Sequence, residues 1–513
     1  MKYRSGILKL ALFATGMSGI VAEYVLSTLA TYFLGDSVFQ WTMIVSVMLF
    51  SMGLGSRLSK QIKTRLLLNF ITIEFVLSIL TAFVTVIIYL YSAHFGDNTL
   101  MIYGMSIVVG VLIGMEIPLV IRLNEEYQEL RVNVSSSMEN DYYGSLAGGV
   151  FFAFIGLPYI GLTYTPFILG TVNFLVALLL IGVLYRQLEK RPRRAILFAA
   201  TAVCAVLLVG VLVADSVINY GEQLRYRDKI VYEKQSKYQK IVMTTTGEDF
   251  FLFINGNQQL CSMDEVLYHE PLVHPVMQLA PMPRHVLIMG GGDGGAAREV
   301  LKYPGVEKVV LVDLDPVMTE LGREHPLLVG MNQHALNDGK VTIINQDGFI
   351  FLEETSEFFD VIIVDLPDPK TVELGRLYSK EFYSLCYRRL KINGTMITQA
   401  GSPYYAARAF NCIDKTMEAA GFATLPIHNQ VVTMGEWGWV LGAKSIPGEQ
   451  LKEVAQRLTF EGIPTQWLNS ESMTLMTSFG KKIFPGELDS VRVNKVHDPV
   501  LYRYYLEGIW DIY

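Results

Sequence analysis

The sequence predicts an α-helical multi-span membrane domain, followed by a small β subdomain and a doubly wound α/β domain. The first half is a series of apolar runs, each near the ~20 residues that cross a bilayer. The second half alternates buried-strand patterns with helical ones, which is typical of a parallel sheet covered by helices. The composition agrees, because 51% of the 513 residues are hydrophobic and only 18% are charged, which is too apolar for an ordinary soluble protein.

Seven apolar runs precede residue 217. The second and fifth are short enough to be re-entrant, and the first lacks a cleavage site and is interpreted as a retained span. The approximate spans are 7–33, 38–56, 66–91, 99–121, 143–160, 163–185 and 194–217.

Basic residues occur before and at the start of the first apolar run and after every second run, and the intervening loops carry none. They are Lys2, Arg4, Lys9, Arg57, Lys60, Lys63, Arg65, Arg122, Arg131, Arg186, Lys190, Arg191, Arg193 and Arg194. The positive-inside rule therefore places the N-terminus in the cytoplasm. Seven full crossings would leave the C-terminal half outside.

Acidic residues within the spans, Glu23, Glu74 and Glu116, are functional candidates because an ionisable group is costly inside a bilayer. Three acids without an obvious basic partner suit a polycation. The alternative is that they lie near span ends or hydrogen-bond across helices. The pairs Gly110-x-x-x-Gly114 and Gly144-x-x-x-Gly148 indicate close helix packing.

The expected domains are 1–217 for the membrane spans, 218–283 for a linker and small β subdomain, 284–445 for the α/β domain and 446–513 for a C-terminal extension. Short β-runs are expected at 230–234, 238–246 and 249–255, with turns at Thr246-Gly247 and Asn255-Gly256. Buried strands are expected at 285–289, 308–312, 341–344, 361–364 and 394–398.

Charge and cysteine usage exclude several classes. The net charge of -7 provides no basic field, so no nucleic-acid partner is expected. The cysteines, Cys204, Cys261, Cys386 and Cys412, show neither CxxC nor CxxH spacing. We therefore expect neither a zinc site nor a disulfide framework.

A glycine turn follows the first strand of the α/β domain. Gly290, Gly292 and Gly295 satisfy GxGxxG between a strand and a helix, with Asp313 at the end of the next strand. Dinucleotide enzymes and adenosylmethionine enzymes both use this Rossmann-like arrangement. Asp293 inside the turn would repel a pyrophosphate, but it complements the bare amine of decarboxylated S-adenosylmethionine.

Two carboxylates, Asp365 and Asp368, follow the fourth strand, where ligands of α/β proteins bind. An alkylamine with a pKa near ~10 must lose a proton before it can act as a nucleophile. Asp365 is therefore the candidate base, and Asp368 would hold the remaining charged amine. The alternative is that one of them caps the following helix.

Together these residues resemble the spermidine synthase (polyamine aminopropyltransferase) family, in a membrane-fused form. The similarity runs from about Tyr238 to Lys444. The motifs are Tyr238-Gln239, Asn255-Gly256-x-x-Gln259, Asp264-Glu265-x-x-Tyr268-His269-Glu270, Gly290 to Gly295, Asp313, Asp347-Gly348-Phe349, Asp365-x-x-Asp368-Pro369, Leu377-Tyr378-x-x-x-Phe382-Tyr383, Gln399-Ala-Gly-Ser402-Pro403 and Trp437-Gly438-Trp439.

The resemblance implies a role for each site residue. Gln239 and Asp313 would contact the nucleoside, and Asp347-Gly348 would receive the adenine. Tyr268, His269 and Asp293 would line the path of the alkylamine chains. Asp365 would accept the proton and Asp368 would anchor the amine. No metal or cofactor is implied, since decarboxylated S-adenosylmethionine is a co-substrate.

Three departures from the family pattern concern the identity of the amine. Asp313 stands where the family usually has Glu, and Leu366-Pro367 separates the signature acids where two serines are common. Val372 stands near the place of the proline that usually follows the pair.

The expected activity is transfer of an aminopropyl group from decarboxylated S-adenosylmethionine to putrescine, giving spermidine and methylthioadenosine. The alternative is a membrane polyamine transporter or sensor whose ligand-binding domain is not catalytic. An NAD-dependent oxidoreductase leaves Asp293 unexplained, and Asp293 would repel the carboxylate of a methyltransferase's donor.

The expected setting is the cell membrane, as a multi-pass protein and a homo-oligomer in contact with lipid. Because the co-substrate is a cytosolic nucleoside, we expect the catalytic domain in the cytoplasm, which requires six or eight effective crossings.

Overall fold

The computed structural model describes residues 2–35, 37–95, 97–125, 127–184, 190–480 and 490–510. The chain divides into two compact units, Met1–Lys229 and Ile230–Tyr513. The expected boundary at residue 217 falls inside a helix that continues to Arg225, so the charged segment 219–225 is helical and not a separate linker.

The N-terminal unit is an all-helical bundle. Its helices are apolar over most of their length, and the described residues contain six stretches that are long and apolar enough to cross a membrane. The helices are α1 (Lys2–Leu34), α2 (Ser37–Ser59), α3 (Leu66–His94), α4 (Thr99–Asn124), α5 (Leu130–Phe151), α6 (Gly161–Leu184) and α7 (Lys190–Arg225).

The fifth stretch, Leu130–Leu184, is 55 residues long and contains the predicted run 143–160 and the predicted run 163–185 up to residue 184, since residue 185 lies outside the described residues. A π-helix, Phe152–Ile160, joins α5 to α6. Gly161, at φ 75° and ψ 178°, then departs from helical geometry, so the stretch is divided at this glycine.

Glycines set the closest helix contacts, as predicted for both GxxxG pairs. A Cβ on Gly114 would collide with the backbone of Met52, and one on Gly144 would collide with the backbone of Phe13. The pairs α2–α4 and α1–α5 therefore pack backbone against backbone, which only the smallest residue permits.

The predicted acids of the spans lie inside the bundle. Glu23 is 7% exposed, Glu74 0% and Glu116 2%. Neither carboxylate oxygen of Glu74 has a hydrogen-bond partner among the described residues, and the same holds for Oε1 of Glu116. Hydrogen bonding across helices therefore does not account for Glu74.

The second unit begins with a four-stranded sheet in the order β1-β2-β3-β4. Asn255 (φ 50°) and Gly256 (φ 78°) form the predicted tight turn, because both adopt the left-handed conformation that such hairpins need. The strand after this turn, β4, was not predicted. The strands are β1 (Lys229–Gln235), β2 (Lys240–Thr246), β3 (Asp249–Ile254) and β4 (Asn257–Cys261).

A seven-stranded sheet follows, in the order β10-β11-β9-β8-β5-β6-β7. Strands β5 to β9 are parallel neighbours, whereas β11 runs antiparallel to β9 and β10. All five predicted strands are present, but β7, at the edge of the sheet, is half-buried to exposed and not buried as expected. The strands are β5 (His285–Gly290), β6 (Lys308–Asp313), β7 (Val341–Asn345), β8 (Phe359–Asp365), β9 (Leu390–Gly401), β10 (Ala423–Val431) and β11 (Gly435–Ala443).

Helices cover both faces of this sheet with two apolar clusters. The helices of this unit are α8 (Val266–Leu279), α9 (Gly295–Leu301), α10 (Pro316–Glu324), α11 (Pro326–Asn332), α12 (Gly348–Glu354), α13 (Val372–Arg376), α14 (Lys380–Arg389), α15 (Ala407–Ala419), α16 (Gly448–Gln456), α17 (Ser470–Met476) and α18 (Leu501–Leu506). The buried apolar side chains of α10 and α11 instead form a third cluster with the four-stranded sheet.

The C-terminal extension is part of this core. Leu451 and Met473 share a cluster with Val286 of β5, and Leu501 and Tyr505 belong to the cluster on the other face. The extension therefore packs on both sides of the sheet.

Glu270 of α8 fastens the extension to the sheet domain. It is 0% exposed, and its carboxylate accepts hydrogen bonds from the backbone N–H groups of Gln466, Trp467 and Leu468 at 2.5, 2.9 and 2.8 Å. Buried N–H groups need such partners, so this carboxylate organises the loop before α17.

We predict that Glu270→Ala lowers the unfolding free energy by about 3 kcal/mol, because three buried N–H groups lose their acceptor. Thermal unfolding of the solubilised full chain measures the effect. Glu471→Ala, at an exposed position of α17, is the control. Equal melting temperatures for the two variants would contradict the assignment.

Candidate active site

A cavity opens at the carboxyl edge of the parallel sheet, where β5, β6 and β8 end. Its wall includes seven of the nine predicted site residues, from both the β subdomain and the sheet domain. These seven are Gln239, Tyr268, His269, Asp293, Asp313, Asp365 and Asp368.

The glycine turn brings β5 against β8. Gly290 pairs in register with Asp365, and a Cβ on Gly290, which has φ 82°, would collide with the Asp365 carbonyl oxygen. The Gly291 N–H donates to that same oxygen at 3.1 Å. The turn therefore requires glycine for both its backbone angle and its close approach.

Asp293 lies inside the turn. Its Oδ1 accepts the Gly295 N–H at 2.7 Å and lies 3.6 Å from His269 Nε2. Gly295 must also be small, because a Cβ there would strike the His269 ring. The turn thus presents a carboxylate to the cavity beside an imidazole.

His269 carries a positive charge at neutral pH. Burial opposes the charged form, but its Nδ1 lies 2.6 Å from Glu265, and this carboxylate raises the pKa of His269 to about 9. Arg298 donates to both Glu265 oxygens at 2.7 and 2.8 Å. Burial acts against ionisation of Glu265, yet His269 and Arg298 lower its pKa to about 2.

Asp365 accepts a hydrogen bond from the Tyr268 hydroxyl at 2.7 Å. Burial, and then repulsion by Asp293, raise the pKa of Asp365 to about 6, although His269 and Tyr268 act in the opposite direction. The group is therefore ionised at neutral pH and basic enough to accept a proton.

Asp313, at the end of β6, accepts the Asp315 N–H at 2.9 Å. Burial is the main reason that its pKa rises to about 7, and Asp315 and Asp293 add repulsion. Asp313 is placed where the second strand of a Rossmann-like sheet meets a ribose.

Asp368 lies in the loop after β8, and two uncharged side chains contact its carboxylate. Tyr505 donates to its Oδ2 at 2.5 Å, and the Gln399 amide nitrogen is 3.5 Å from its Oδ1. Burial raises the pKa of Asp368. The next helix, α13, is capped by Thr371, so the alternative that Asp365 or Asp368 caps it is wrong.

Asp347 and Gly348 are not among the residues that line the cavity. The Asp347 carboxylate caps α12 by accepting the N–H groups of Phe349 and Ile350, and it forms an ion pair with Arg376. Their expected contact with adenine stays a prediction.

Two residues that contact Asp368, Gln399 and Tyr505, were not assigned a role from the sequence. Gln399 donates to the Leu366 carbonyl at 2.8 Å and contacts the Tyr378 hydroxyl at 2.6 Å, which fixes the loop between the two acids. Gln399 was part of a family motif, whereas Tyr505 lies in the extension and had no sequence signal.

The ligand atoms of His269, Asp293 and Asp365 lie within 4.8 Å of one another, a spacing that could hold a metal ion. A protonated imidazole has no lone pair to offer a metal. The pKa of about 9 for His269 therefore favours an ion pair with these acids, and a metal-free site stays the prediction.

We predict that Glu265→Gln lowers the pKa of His269 well below about 9, because burial then acts without the neighbouring charge. The pH dependence of deuterium exchange at the imidazole C2 carbon, read by mass spectrometry, measures this pKa. The stability contributed by the raised pKa of His269 is complete below pH ~6.5 and is lost as the pH rises through about 9, whereas the stability contributed by the lowered pKa of Glu265 is complete above pH ~4.5 and is lost as the pH falls through about 2.

Glu307→Gln is the matched control, because Glu307 lies 3.8 Å from the exposed His285 and should leave His269 unchanged. An unaltered His269 titration in Glu265→Gln would refute the pairing.

Comparison with known proteins supports the same interpretation. Residues 265–450 match the family model described as Spermine/spermidine synthase domain. The chain is 39% identical to polyamine aminopropyltransferase 2 of Aquifex aeolicus (strain VF5), with 98% of each chain covered. It is 37% identical to the polyamine aminopropyltransferase of Oceanobacillus iheyensis, with 96% of each covered, and 36% identical to that of Leptospira interrogans, with 95% of each covered.

These matches include the N-terminal helical unit and bear transferase names throughout, so they give no support to the transporter or sensor alternative. The chain belongs to the polyamine aminopropyltransferase (spermidine synthase) family.

Proposed function

We propose that the chain transfers the aminopropyl group of decarboxylated S-adenosylmethionine to putrescine, with Asp365 as the base and no metal or further cofactor. The observation that carries the proposal is the set of five carboxyl groups that line one cavity, Asp293, Asp313, Asp315, Asp365 and Asp368. A cavity of this charge attracts amines and repels phosphates.

In the proposed reaction the amine nitrogen attacks the aminopropyl carbon beside the sulfonium. A nitrogen–carbon bond forms while the carbon–sulfur bond breaks, and its electron pair returns to sulfur to give neutral methylthioadenosine. The amine proton passes to Asp365. Because the sulfonium is a good leaving group, the protein contributes mainly alignment and proton removal.

The nucleoside is expected on the β6 side of the cavity. Asp313 would accept the ribose hydroxyls, and Gln239 of the β subdomain, which also lines the cavity, would contact the nucleoside. Asp293 and His269 would flank the aminopropyl chain, and Tyr268 would orient Asp365 through its 2.7 Å hydrogen bond. Asp347 and Gly348 would receive the adenine if Arg376 releases its ion pair with Asp347.

We predict that Asp365→Asn lowers kcat by about 10²- to 10⁴-fold, the usual worth of a general base, while affinity for methylthioadenosine changes little. In the wild type, kcat should fall as the pH decreases through about 6, where Asp365 becomes protonated. This limb of the pH profile should vanish in the variant.

Asp338→Asn is the control for Asp365→Asn, because Asp338 is exposed and precedes β7 at the opposite edge of the sheet. Near-normal turnover by Asp365→Asn at neutral pH would remove Asp365 as the base.

We further propose that the N-terminal unit is inserted in the cell membrane as a multi-pass domain, that the catalytic unit faces the cytoplasm, and that the protein is a homo-oligomer. The six apolar stretches support insertion, and the cytosolic co-substrate supports the cytoplasmic side. If Leu130–Leu184 crosses the membrane once, the chain makes six crossings and both of its ends lie on the same side. If it crosses twice, the chain makes seven crossings, and the basic residues would then favour the outer side for the catalytic unit.

We predict that green fluorescent protein fused to the C-terminus of the full chain fluoresces in intact bacterial cells, since it folds in the cytoplasm. An alkaline phosphatase fusion at the same point should be inactive. The reverse pair of results would place the catalytic unit outside and favour seven crossings.

A further inference from the structure

Asp368, at the cavity wall, is contacted from behind by a residue outside the part of the chain that matches the family model. Tyr505 of α18 is 2% exposed, and its hydroxyl donates to Asp368 Oδ2 at 2.5 Å. Tyr505 lies beyond residues 265–450, the part that matches the family model. The carboxylate that would anchor the acceptor amine is therefore covered by a residue of the C-terminal extension.

Tyr505 is held firmly in this position. Its ring stacks on Trp510, with centroids 4.6 Å apart and planes at 28°, and the Trp510 indole N–H donates to the Tyr505 carbonyl at 2.9 Å. On the other side a Cβ on Gly401 would lie 3.6 Å from the ring. The hydroxyl is thus held in place against Asp368.

A fixed positive charge lies next to Tyr505. The Lys370 Nζ is 5.6 Å from the centroid of the Tyr505 ring and donates to Asn257 Oδ1 at 2.6 Å. The Lys370 backbone N–H also donates to the Asp368 carbonyl at 2.7 Å. The ammonium group is therefore tethered beside Asp368 from both its backbone and its tip.

These contacts should favour the binding of diamines over that of longer polyamines. A short diamine has one distal ammonium group, and Asp368 can hold it. Tyr505 and Lys370 are not among the residues that line the cavity but lie behind Asp368. A triamine such as spermidine that extends a further ammonium group past Asp368 would therefore meet the Tyr505 ring and the like charge of Lys370.

Building on the proposed function, we propose that Tyr505 and Lys370 form the distal wall of the acceptor site and restrict the acceptor to short diamines. Tyr505 limits length by occupying space, and Lys370 excludes a third ammonium group by repulsion. The two residues belong to different elements, so each can be altered without the other.

The test measures kcat/KM of the purified full chain for putrescine, cadaverine and spermidine, with decarboxylated S-adenosylmethionine saturating. The variants are Tyr505→Ala, which opens the wall, Tyr505→Phe, which removes only the hydroxyl, and Lys370→Met, which removes the charge and keeps the length. Tyr502→Phe on the same helix is the control, because the Tyr502 hydroxyl accepts a hydrogen bond from its neighbour Arg503.

We expect the wild type to favour putrescine, and Tyr505→Ala and Lys370→Met each to raise the spermidine-to-putrescine ratio of kcat/KM at least about tenfold. Tyr505→Phe should mainly raise KM for putrescine, since Asp368 then loses a neighbour that orients it. The KM for the nucleoside should stay unchanged in every variant, which also reports that the variant is folded.

Failure of the inference and failure of the proposed function are distinguishable. Transfer to no amine by the wild type would sink the proposed function. Efficient use of spermidine by the wild type would overturn the inference alone, as would ratios within twofold of the wild type in both Tyr505→Ala and Lys370→Met. If Tyr505→Ala does not fold, the kcat/KM ratio of Lys370→Met and the KM of Tyr505→Phe for putrescine test the inference.

Discussion

The rest of the catalytic unit must accommodate five carboxyl groups at one edge of the sheet, Asp293, Asp313, Asp315, Asp365 and Asp368. Burial and mutual repulsion raise the pKa of Asp313 to about 7 and that of Asp365 to about 6. Carboxyl groups whose pKa is raised by folding bind protons more tightly in the folded state, so their ionisation at neutral pH reduces stability, which recovers as the pH falls. A cationic ligand would offset this cost on binding.

The surrounding structure holds these groups in place despite their repulsion. The glycine turn fixes the Asp365 backbone through the Gly291 N–H, and the Tyr268 and Tyr505 hydroxyls each donate to an acid. The charge on His269 is itself maintained by Glu265. The site therefore resembles a set of fixed anions prepared for amines, with little left to rearrange when they bind.

The buried strands were predictable because a parallel strand covered on both faces is a near-continuous apolar run. Strand β11 was not predicted, since Gly435, Gly438 and Gly442 interrupt its pattern. Gly438 has a tertiary reason, because a Cβ there would strike the Phe410 ring. Local sequence does not encode such contacts.

The site residues divide in the same way. Asp293, Asp365 and Asp368 follow strands directly, so the topology alone predicts that they meet. Asp347 also follows a strand, but its carboxylate caps α12. A position at the end of a strand therefore does not distinguish an acid that lines the cavity from an acid that caps a helix. Tyr505 reaches Asp368 across 137 residues of sequence, a contact created by the packing of the extension and visible only in three dimensions.

The burial of two thiols in the catalytic unit has a practical consequence. Cys386 and Cys412 are 0% exposed, and burial raises the pKa of both, that of Cys412 to about 12. The thiolate is the nucleophile that attacks thiol reagents, so these two side chains should remain inert to maleimides in the native protein. A cysteine engineered into the loop before α13 would then carry a fluorophore or spin label with little background from either core position.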